Sequence, residues 1–225
     1  MSLRDILKPV LGLFLLFLLA LVFYAGKGYA DALSDSSALK LRAQGLIAHG
    51  YGSDDLTQRK LNQFLEIEDP AFWKHNGVDL ETKGAGFTTI TQSLSKRLAF
   101  EQFKPGLRKI RQTTYALGLE KKLSKREILA LFFDSAELGN GPTGWMTGMF
   151  GTSQQIYGKP PADLTDHEWL RLVAVGIAPK QFNLLAPDEK LAERVRRIER
   201  LLSGKCKPQN VRDVWLQGCA LNSAG

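Results

Sequence analysis

The sequence predicts a mostly α-helical domain that follows one apolar, membrane-spanning helix at the N-terminus. Three observations favour this fold class: an uninterrupted apolar run near the start of the chain, helical spacing of the apolar residues after it, and no convincing strand alternation. With 225 residues, 44% of them hydrophobic and 24% charged, the chain can build one compact domain with its own core.

The apolar run extends from Val10 to Ala25. As a helix it would be about 24 Å long, and its neighbours extend it over residues 10–29 toward the roughly 30 Å of a hydrocarbon core. Arg4 and Lys8 precede it, so the positive-inside rule places residues 1–9 in the cytoplasm and the rest of the chain outside. The sequence therefore predicts a single-pass signal anchor.

Two other interpretations of this run stay open. The sequence Ala30-Asp31-Ala32 has the form of a cleavage site, which would make the run a cleaved signal peptide, and a buried core helix is the third interpretation. The length of the run favours an uncleaved anchor, while its flanking cations and terminal position argue against a core helix. Anchor and signal peptide both export the domain.

Behind the anchor, residues 30–55 form a juxtamembrane segment in which the polar stretch Ser34–Ser37 predicts a turn. The main domain then covers residues 56–204. Its first helix is predicted over 56–67, because Leu, Phe and Ile recur there at helical spacing. Glu68 falls near the end of this helix.

Capping signals mark the start of later helices. Ser124 with Glu127 forms a capping box that opens a helix through Phe133, and Thr165 with Glu168 opens another. The helices predicted after the first are 88–100, 107–123, 124–133, 165–177 and 189–202.

The segment Gly139–Gly151 is rich in glycine and is predicted to be irregular. It contains four large apolar residues, Trp145, Met146, Met149 and Phe150. These side chains either contact the bilayer, as access of a lipid substrate would require, or pack in the core of the domain.

The only two cysteines, Cys206 and Cys219, lie in the C-terminal tail of residues 205–225. In an exported protein such a pair predicts a disulfide that closes a small loop, and two reduced thiols are the alternative. The three histidines are far apart in the sequence, and no Cys/His spacing suggests a metal site.

The first candidate site is the segment from Glu68 to Asp79 (EDPAFWKHNGVD). Two acids at a helix end are often ordinary surface residues. Here an aromatic pair, a histidine, a glycine and another acid follow them. A carboxylate in an aromatic, partly desolvated cleft has a raised pKa and can act as a general base near neutral pH.

The second candidate site is the segment from Gly84 to Arg97 (GAGFTTITQSLSKR), a glycine-rich loop that leads into a helix. Free backbone N–H groups and the helix dipole at such an N-terminus favour phosphate. Lys96 lies about two turns further on and can meet the same anion. A simple threonine N-cap is the alternative explanation.

Cations cluster after this loop, and the formal net charge of +7 with a pI of about 9.4 also favours an anionic partner. A solvated helix face explains such a cluster equally well, whereas a pyrophosphate site would use it. The clustered cations are Lys96, Arg97, Lys104, Arg108, Lys109 and Arg111, with Glu101 as the one acid among them.

Several of these motifs, taken in order, resemble the glycosyltransferase domain of family 51. They are E-D-x-x-F-x-x-H-x-G-x-D, then T-T-I-T-Q-x-L-x-K, then R-K, then K-x-E-I-L, within a similarity that covers residues 61–202. The family includes monofunctional peptidoglycan glycosyltransferases and the first domain of bifunctional penicillin-binding proteins. The resemblance implies a lysozyme-like α-helical fold and polymerisation of lipid II with release of undecaprenyl pyrophosphate.

The resemblance also implies residue roles. Glu68 would be the general base, and Asp69 would support it. The positions that match substrate contacts in the family are Thr88, Gln92, Lys96, Lys104, Arg108 and Lys109, where Lys104 stands in place of an arginine. Fixed cations suit an expelled pyrophosphate, and one base suits the acceptor hydroxyl.

The sequence departs from the family pattern on the donor side. Gln112 replaces the second catalytic glutamate, Ala130 replaces another, and Ser93 and Arg97 replace a glutamine and an asparagine. Glutamine keeps hydrogen bonds but cannot carry charge and is a weak ligand for Mg²⁺. The divalent metal of the family, Mg²⁺ or Mn²⁺, is therefore an open expectation here.

Three functions compete. The leading interpretation is an active peptidoglycan glycosyltransferase, impaired or specialised by Gln112. The second is a non-catalytic scaffold that binds lipid II or glycan in a cell-wall assembly. The third is a lysozyme-like hydrolase or lytic transglycosylase, which would need neither an anchor nor a phosphate site.

The expected partners follow from these interpretations. They are lipid II, the growing glycan strand, the membrane and other cell-wall synthesis proteins. Nucleic acid is excluded because the domain is exported. The expected location is the bacterial cytoplasmic (inner) membrane, with the catalytic domain on the periplasmic side.

Overall fold

The computed structural model describes residues 3–221, with side chains from residue 7 onward, and the described chain is mostly helical as predicted. The side chain of Arg4, on which the predicted orientation partly depends, and the last four residues of the tail lie outside the described residues. The elements are α1 (Leu3–Ala48), α2 (Gln58–Glu68), α3 (Ile90–Ala99), α4 (Arg108–Lys122), α5 (Lys125–Ser135), β1 (Glu137–Gly141), β2 (Gly144–Thr147), α6 (Met149–Tyr157), α7 (Asp166–Val175) and α8 (Glu189–Leu202).

Helix α1 is the one helix among the described residues that is long and apolar enough to cross a membrane. Its side chains over residues 10–19 are exposed, as a lipid-facing segment requires. The helix does not stop behind the apolar run. The predicted turn at Ser34–Ser37 is wrong, because α1 continues to Ala48 and the Ser36 hydroxyl donates to the Leu33 carbonyl within the helix (2.7 Å).

Packing against α4 explains why the second half of α1 stays helical. A Cβ added at Gly118 would lie 2.6 Å from the Cβ of Ala32, so the two helices meet at small residues. The Tyr115 hydroxyl donates to Asp35 across the same contact (2.7 Å). The polar residues behind the anchor therefore face partners on α4, and the juxtamembrane segment belongs to a helix that is docked on the domain.

The capping boxes place α5 and α7 where the sequence predicts them. Ser124 accepts from the backbone N–H of Glu127, and Thr165 does the same for Glu168. The helices pack around a core in which the largest side chains are fully buried. These core residues include Phe64, Phe72, Tyr115, Phe133 and Trp169.

The glycine-rich segment after α5, which was predicted to be irregular, contains a short antiparallel hairpin of β1 and β2 with a register shift between Glu137 and Asn140. The sequence shows no strand alternation there, and the predicted fold class, mostly α, is still correct. Gly139 has a φ of +87°, and a Cβ at this position would lie 2.7 Å from the Pro179 carbonyl oxygen. Glycine allows this close backbone approach, and it also hides the strand from a pattern search because it adds no apolar side chain.

Most of the apolar residues near this hairpin belong to the core. Met146 and Met149 are buried, and the Phe150 ring packs edge-on against Tyr51 at 5.4 Å between ring centres. The core alternative is therefore correct for these three residues. Trp145 is 40% exposed and is the only one of the four that could contact a bilayer without rearrangement.

Cys206 and Cys219 form the predicted disulfide. The segment that it closes is folded against the domain: the backbone N–H groups of Gly84 and Gly86 donate to the carbonyls of Asn210 (3.0 Å) and Val211 (2.8 Å). The tail is thus a structural part of the domain up to the end of the described residues.

Candidate active site

Glu68 is the last residue of α2, and its side chain is half-buried. Burial raises the pKa of this carboxyl, although the nearby guanidinium groups of Arg194 and Arg97 oppose the increase. A carboxylate with a raised pKa accepts a proton more readily near neutral pH. The environment of Glu68 therefore suits the role of general base that the family resemblance implies.

Asp69 caps the end of α2 and is buried. Its carboxylate accepts from the backbone N–H of Ile90, the first residue of α3 (2.9 Å), and pairs with Nε2 of His75 (2.9 Å). Nδ1 of His75 accepts from the Gly77 N–H (3.1 Å). The ring hydrogen therefore lies on Nε2, and this N–H donates a hydrogen bond to Asp69. Asp69 thus ties the end of α2 to the start of α3 and fixes the backbone next to Glu68.

Gln92 lies in the first turn of α3, and its side chain is buried. Its amide oxygen accepts from the Thr89 N–H (3.2 Å), and its amide nitrogen donates to the Thr113 hydroxyl (2.9 Å). Both ends of the amide are occupied by protein partners. In this conformation Gln92 holds the start of α3 against α4 and is not available to a ligand.

The structure brings Thr88, Lys96 and Lys109 together. Nζ of Lys109 donates to the Thr88 hydroxyl (2.8 Å) and to the Phe87 carbonyl (3.2 Å). Burial lowers the pKa of Lys109, and the nearby charge of Lys96 lowers it further. Two desolvated ammonium groups that repel each other are well placed to bind an anion between them.

Lys104 and Arg108 lie on the other side of the segment that links α3 to α4. Both are exposed, and they line a separate cavity of about 690 Å³ together with Tyr24 of α1. Arg108 donates to the Gln102 carbonyl (2.5 Å). These two predicted contacts are therefore near the membrane-spanning part of α1, apart from Lys96 and Lys109.

A cleft of about 860 Å³ opens beside α3. Glu68 is not among the residues that line it, but Arg97 lines it and is close enough to Glu68 to oppose the increase in its pKa. The cleft also contains Lys96, Glu137 and Trp215. Through Arg97, the cationic lining of the cleft reaches the neighbourhood of Glu68.

The sequence placed Arg97 in the cation cluster but gave it no individual role. The structure places it in the lining of the cleft. Its guanidinium donates to the hydroxyls of Ser93 (3.1 Å) and Ser135 (3.2 Å) and lies 4.6 Å above the Phe132 ring centre. Burial lowers its pKa. Ser93 and Arg97, which both differ from the family pattern, are four residues apart on one helix. This spacing is the signal from which their contact could have been predicted.

Arg194 on α8 is a second residue without a predicted role. Only 4% of its side chain is exposed, and among the described residues its Nε and Nη1 atoms have no hydrogen-bond partner. Burial lowers its pKa to about 10, and the charge of Glu68 opposes this shift. Arg194 and Glu68 are therefore electrostatic partners.

Gln112 does not face the cleft. It is 1% exposed, its amide nitrogen donates to the Gln92 carbonyl (2.7 Å), and its amide oxygen is buried without a partner among the described residues. Glu120, the next acid on α4, is bound to Thr91 and to Lys125. The described part of the chain contains no group of three or more His, Cys, Asp or Glu that could hold a metal ion. These residues do not fit a divalent metal at the Gln112 position.

Comparison with known proteins identifies the family of this chain. A family model described as transglycosylase matches residues 49–202. The chain is 32% identical over 195 residues to penicillin-binding protein 1C of Escherichia coli, covering 77% of this chain and 24% of the relative. It is 29% identical over 174 residues to penicillin-binding protein 1A of Clostridium tetani, covering 70% of this chain and 22% of the relative.

A third relative is closer to this chain in length. The biosynthetic peptidoglycan transglycosylase of Acinetobacter baumannii is 29% identical over 169 residues, which cover 69% of this chain and 73% of the relative. The penicillin-binding proteins are much longer, and the match covers only about a fifth of their length. Because the family model matches more than half of the sequence, this chain belongs to the transglycosylase family.

Proposed function

We propose that this chain is a membrane-anchored peptidoglycan glycosyltransferase that polymerises lipid II. The observation that supports the proposal is that Arg97, which lines the cleft together with Lys96, is close enough to Glu68 to oppose the increase in its pKa that burial causes. The reaction needs one base for the acceptor and fixed cations for a pyrophosphate leaving group. Both requirements are met within one region of the domain.

In the proposed reaction, Glu68 accepts the proton of the C4 hydroxyl of one lipid-linked disaccharide. The hydroxyl oxygen forms a bond to C1 of the growing strand, with inversion, while the bond from C1 to the pyrophosphate oxygen breaks. The electron pair of that bond leaves on undecaprenyl pyrophosphate. Lys96, Arg97 and Lys109 stabilise this charge, and no step is assigned to a metal.

Helix α1 supports a location at the cytoplasmic membrane. The helix is continuous from its exposed apolar part to its contact with α4, so the domain is held close to the lipid surface. Lys104 and Arg108 line a cavity beside Tyr24 of this helix, where the lipid-linked phosphates would enter. A periplasmic position of the domain follows from the cations that precede the apolar run.

A non-catalytic scaffold is the second candidate function. The buried position of Gln112 favours it, because the acid that the family uses at this place is absent and its substitute faces the interior. Such a scaffold would keep the anion-binding cleft and bind lipid II without turnover.

The deciding experiment is polymerisation of fluorescent lipid II by the full chain in detergent, compared with Glu68→Gln. Removal of the general base should lower the rate by about 10²–10⁴-fold. Glu66→Gln is the matched control, because Glu66 is an exposed glutamate on the same helix and should leave the rate unchanged. Lipid II binding without strands from the parent protein would instead identify the scaffold.

A further inference from the structure

The disulfide-closed segment of residues 206–219, here called the C-terminal loop, lies beyond the last residue that the family model matches. Its interior is held by Asp213, which is buried. The carboxylate of Asp213 accepts from the backbone N–H groups of Gln209 (3.0 Å), Gln217 (2.6 Å) and Gly218 (3.0 Å). Disulfide and carboxylate together fix the shape of the loop.

The C-terminal loop also packs closely on the glycine-rich loop that precedes α3. A Cβ at Gly84 would lie 2.6 Å from Cγ of Pro208, and one at Gly86 would lie 2.7 Å from a methyl carbon of Val214. The two loops therefore fit only because both of these positions are glycine. The contact holds the C-terminal loop at the edge of the active-site cleft.

This arrangement places Trp215 in the wall of the cleft. Its ring packs edge-on against Phe182 at 6.1 Å between ring centres, and its carbonyl accepts from Arg197 (3.2 Å). The side chain remains 38% exposed. Trp215 lines both the 860 Å³ cleft and a second cavity of about 440 Å³ between the loop and α8, and Gln181 lines both as well.

The second cavity combines an aromatic wall with charged groups of α8. Glu193 and Arg197, which are ion-paired at 2.8 Å, line it together with Phe182 and Trp215. A sugar ring offers an apolar C–H face that packs on an aromatic ring, and hydroxyl and acetamido groups at its edge for polar partners. A concave site of a few hundred Å³ with an aromatic wall and several polar groups suits such a ligand.

We propose that Trp215 forms a saccharide-binding subsite, where a sugar ring of the glycan strand outside the reacting pair stacks on the indole. The identification of the saccharide rests on the proposed function, and the position rests on Trp215, whose side chain lines both cavities. The subsite would hold the strand between successive additions, so Trp215 is a specificity-determining residue and not a catalytic one.

The binding test uses the full chain in detergent and a soluble, unlipidated tetrasaccharide of alternating N-acetylglucosamine and N-acetylmuramic acid. Isothermal titration calorimetry should show saturable binding of the tetrasaccharide by the parent protein. Trp215→Ala should bind about tenfold more weakly, and Trp215→Phe should recover part of the affinity. Trp145→Ala is the matched control, because this tryptophan is similarly exposed but lies on the hairpin, and its affinity should equal that of the parent.

A parent protein that does not bind the tetrasaccharide, or a Trp215→Ala variant that binds it as tightly as the parent, overturns the proposal. Equal weakening by Trp145→Ala overturns it too.

Strand length separates this inference from the proposed function. If the parent polymerises lipid II, Trp215→Ala should yield shorter strands than Trp145→Ala, and unchanged lengths would reject the subsite alone. Trp215-dependent binding by a protein that makes no strands would support the subsite and reject the transferase.

Discussion

The two sides of the candidate site differ in how they relate to the family pattern. On the proposed acceptor side, Glu68 and Asp69 match the family pattern, and hydrogen bonds from His75 and the start of α3 fix Asp69. On the proposed donor side, Gln112 stands where the family pattern has a glutamate, and its buried side chain donates to a backbone carbonyl. Arg97 adds a cation to the cleft.

Two of the departures on the donor side, Ser93 and Arg97, contact each other directly. Ser93 and Ser135 both accept from Arg97, whose charge then lies near Glu68. The side-chain amide N–H of Gln112 donates a hydrogen bond to the backbone carbonyl of Gln92. The donor side has therefore exchanged a negative group for a positive one, and the neighbouring residues suit that exchange.

The largest expected effect comes from restoring the acid with Gln112→Glu. The new carboxylate would be buried and would face the Gln92 carbonyl at about 2.7 Å, so it would fold only in its protonated form. Keeping a glutamate protonated at pH 7 costs about 3.7 kcal/mol. We expect denaturant unfolding at pH 7 to show this loss, and no gain of lipid II polymerisation.

The pH dependence of this variant has a definite sign. A buried glutamate with a raised pKa adds stability below its unfolded pKa of about 4.3 and loses it as the pH rises, so the deficit should shrink toward pH 4. Gln154→Glu, on the exposed face of α6, is the control and should change stability little at either pH. Full stability at pH 7 together with new metal-dependent activity would show that the donor side still has a place for the acid.

The second expected effect concerns the coupling between the two sides. Arg97 opposes the increase in the pKa of Glu68, so Arg97→Gln should raise that pKa and move the acid limb of kcat/KM to higher pH, by about 0.5–1 unit. Arg97→Lys keeps the charge and should keep the limb near its original position. The measurement is the initial rate of polymerisation between pH 5 and 9.

A control separates this coupling from a general loss of charge. Arg126 forms an exposed ion pair with Asp54, and Arg126→Gln should leave the acid limb where it is. If Arg97→Gln lowers the rate equally at every pH, the guanidinium acts only on the leaving group and the two sides are not coupled through Glu68.

The sequence predicts elements well where the signals are local. Both capping boxes have their predicted partners, and the last helix, α8, has its predicted bounds. The turn at Ser34–Ser37 was predicted wrongly because contacts with a distant helix decide the conformation there. The β1–β2 hairpin was missed because glycine supplies no pattern.

The site follows the same division. Glu68 could be proposed as the general base from its motif, because residue order alone matches it to the family pattern, and this role stays a prediction. The inward orientation of Gln92 and Gln112 could not be predicted, since it depends on how α3 and α4 pack. The proximity of Arg97 and Arg194 to Glu68 also depends on packing, as does the position of Trp215 at the cleft, because these residues are far from Glu68 in the sequence.

The smallest expected effect is a gain of stability in the inactive variant Glu68→Gln. The raised pKa of Glu68 means that the folded state binds its proton more tightly than the unfolded state. The stability from this proton is fully present below the ordinary glutamate pKa of 4.5 and is lost as the pH rises through the folded pKa. Glutamine stays neutral, so Glu68→Gln should be more stable than the parent at pH 8 and not at pH 4.

The shift in the Glu68 pKa already includes the opposing influence of Arg97 and Arg194, so this sign is the net one. Denaturant unfolding at the two pH values measures it, with Glu66→Gln as the exposed control that should show no such dependence. A stability difference that is the same at both pH values would mean that Glu68 is solvated in the folded protein. Glu68 would then lack the raised pKa on which the contrast between the two sides depends.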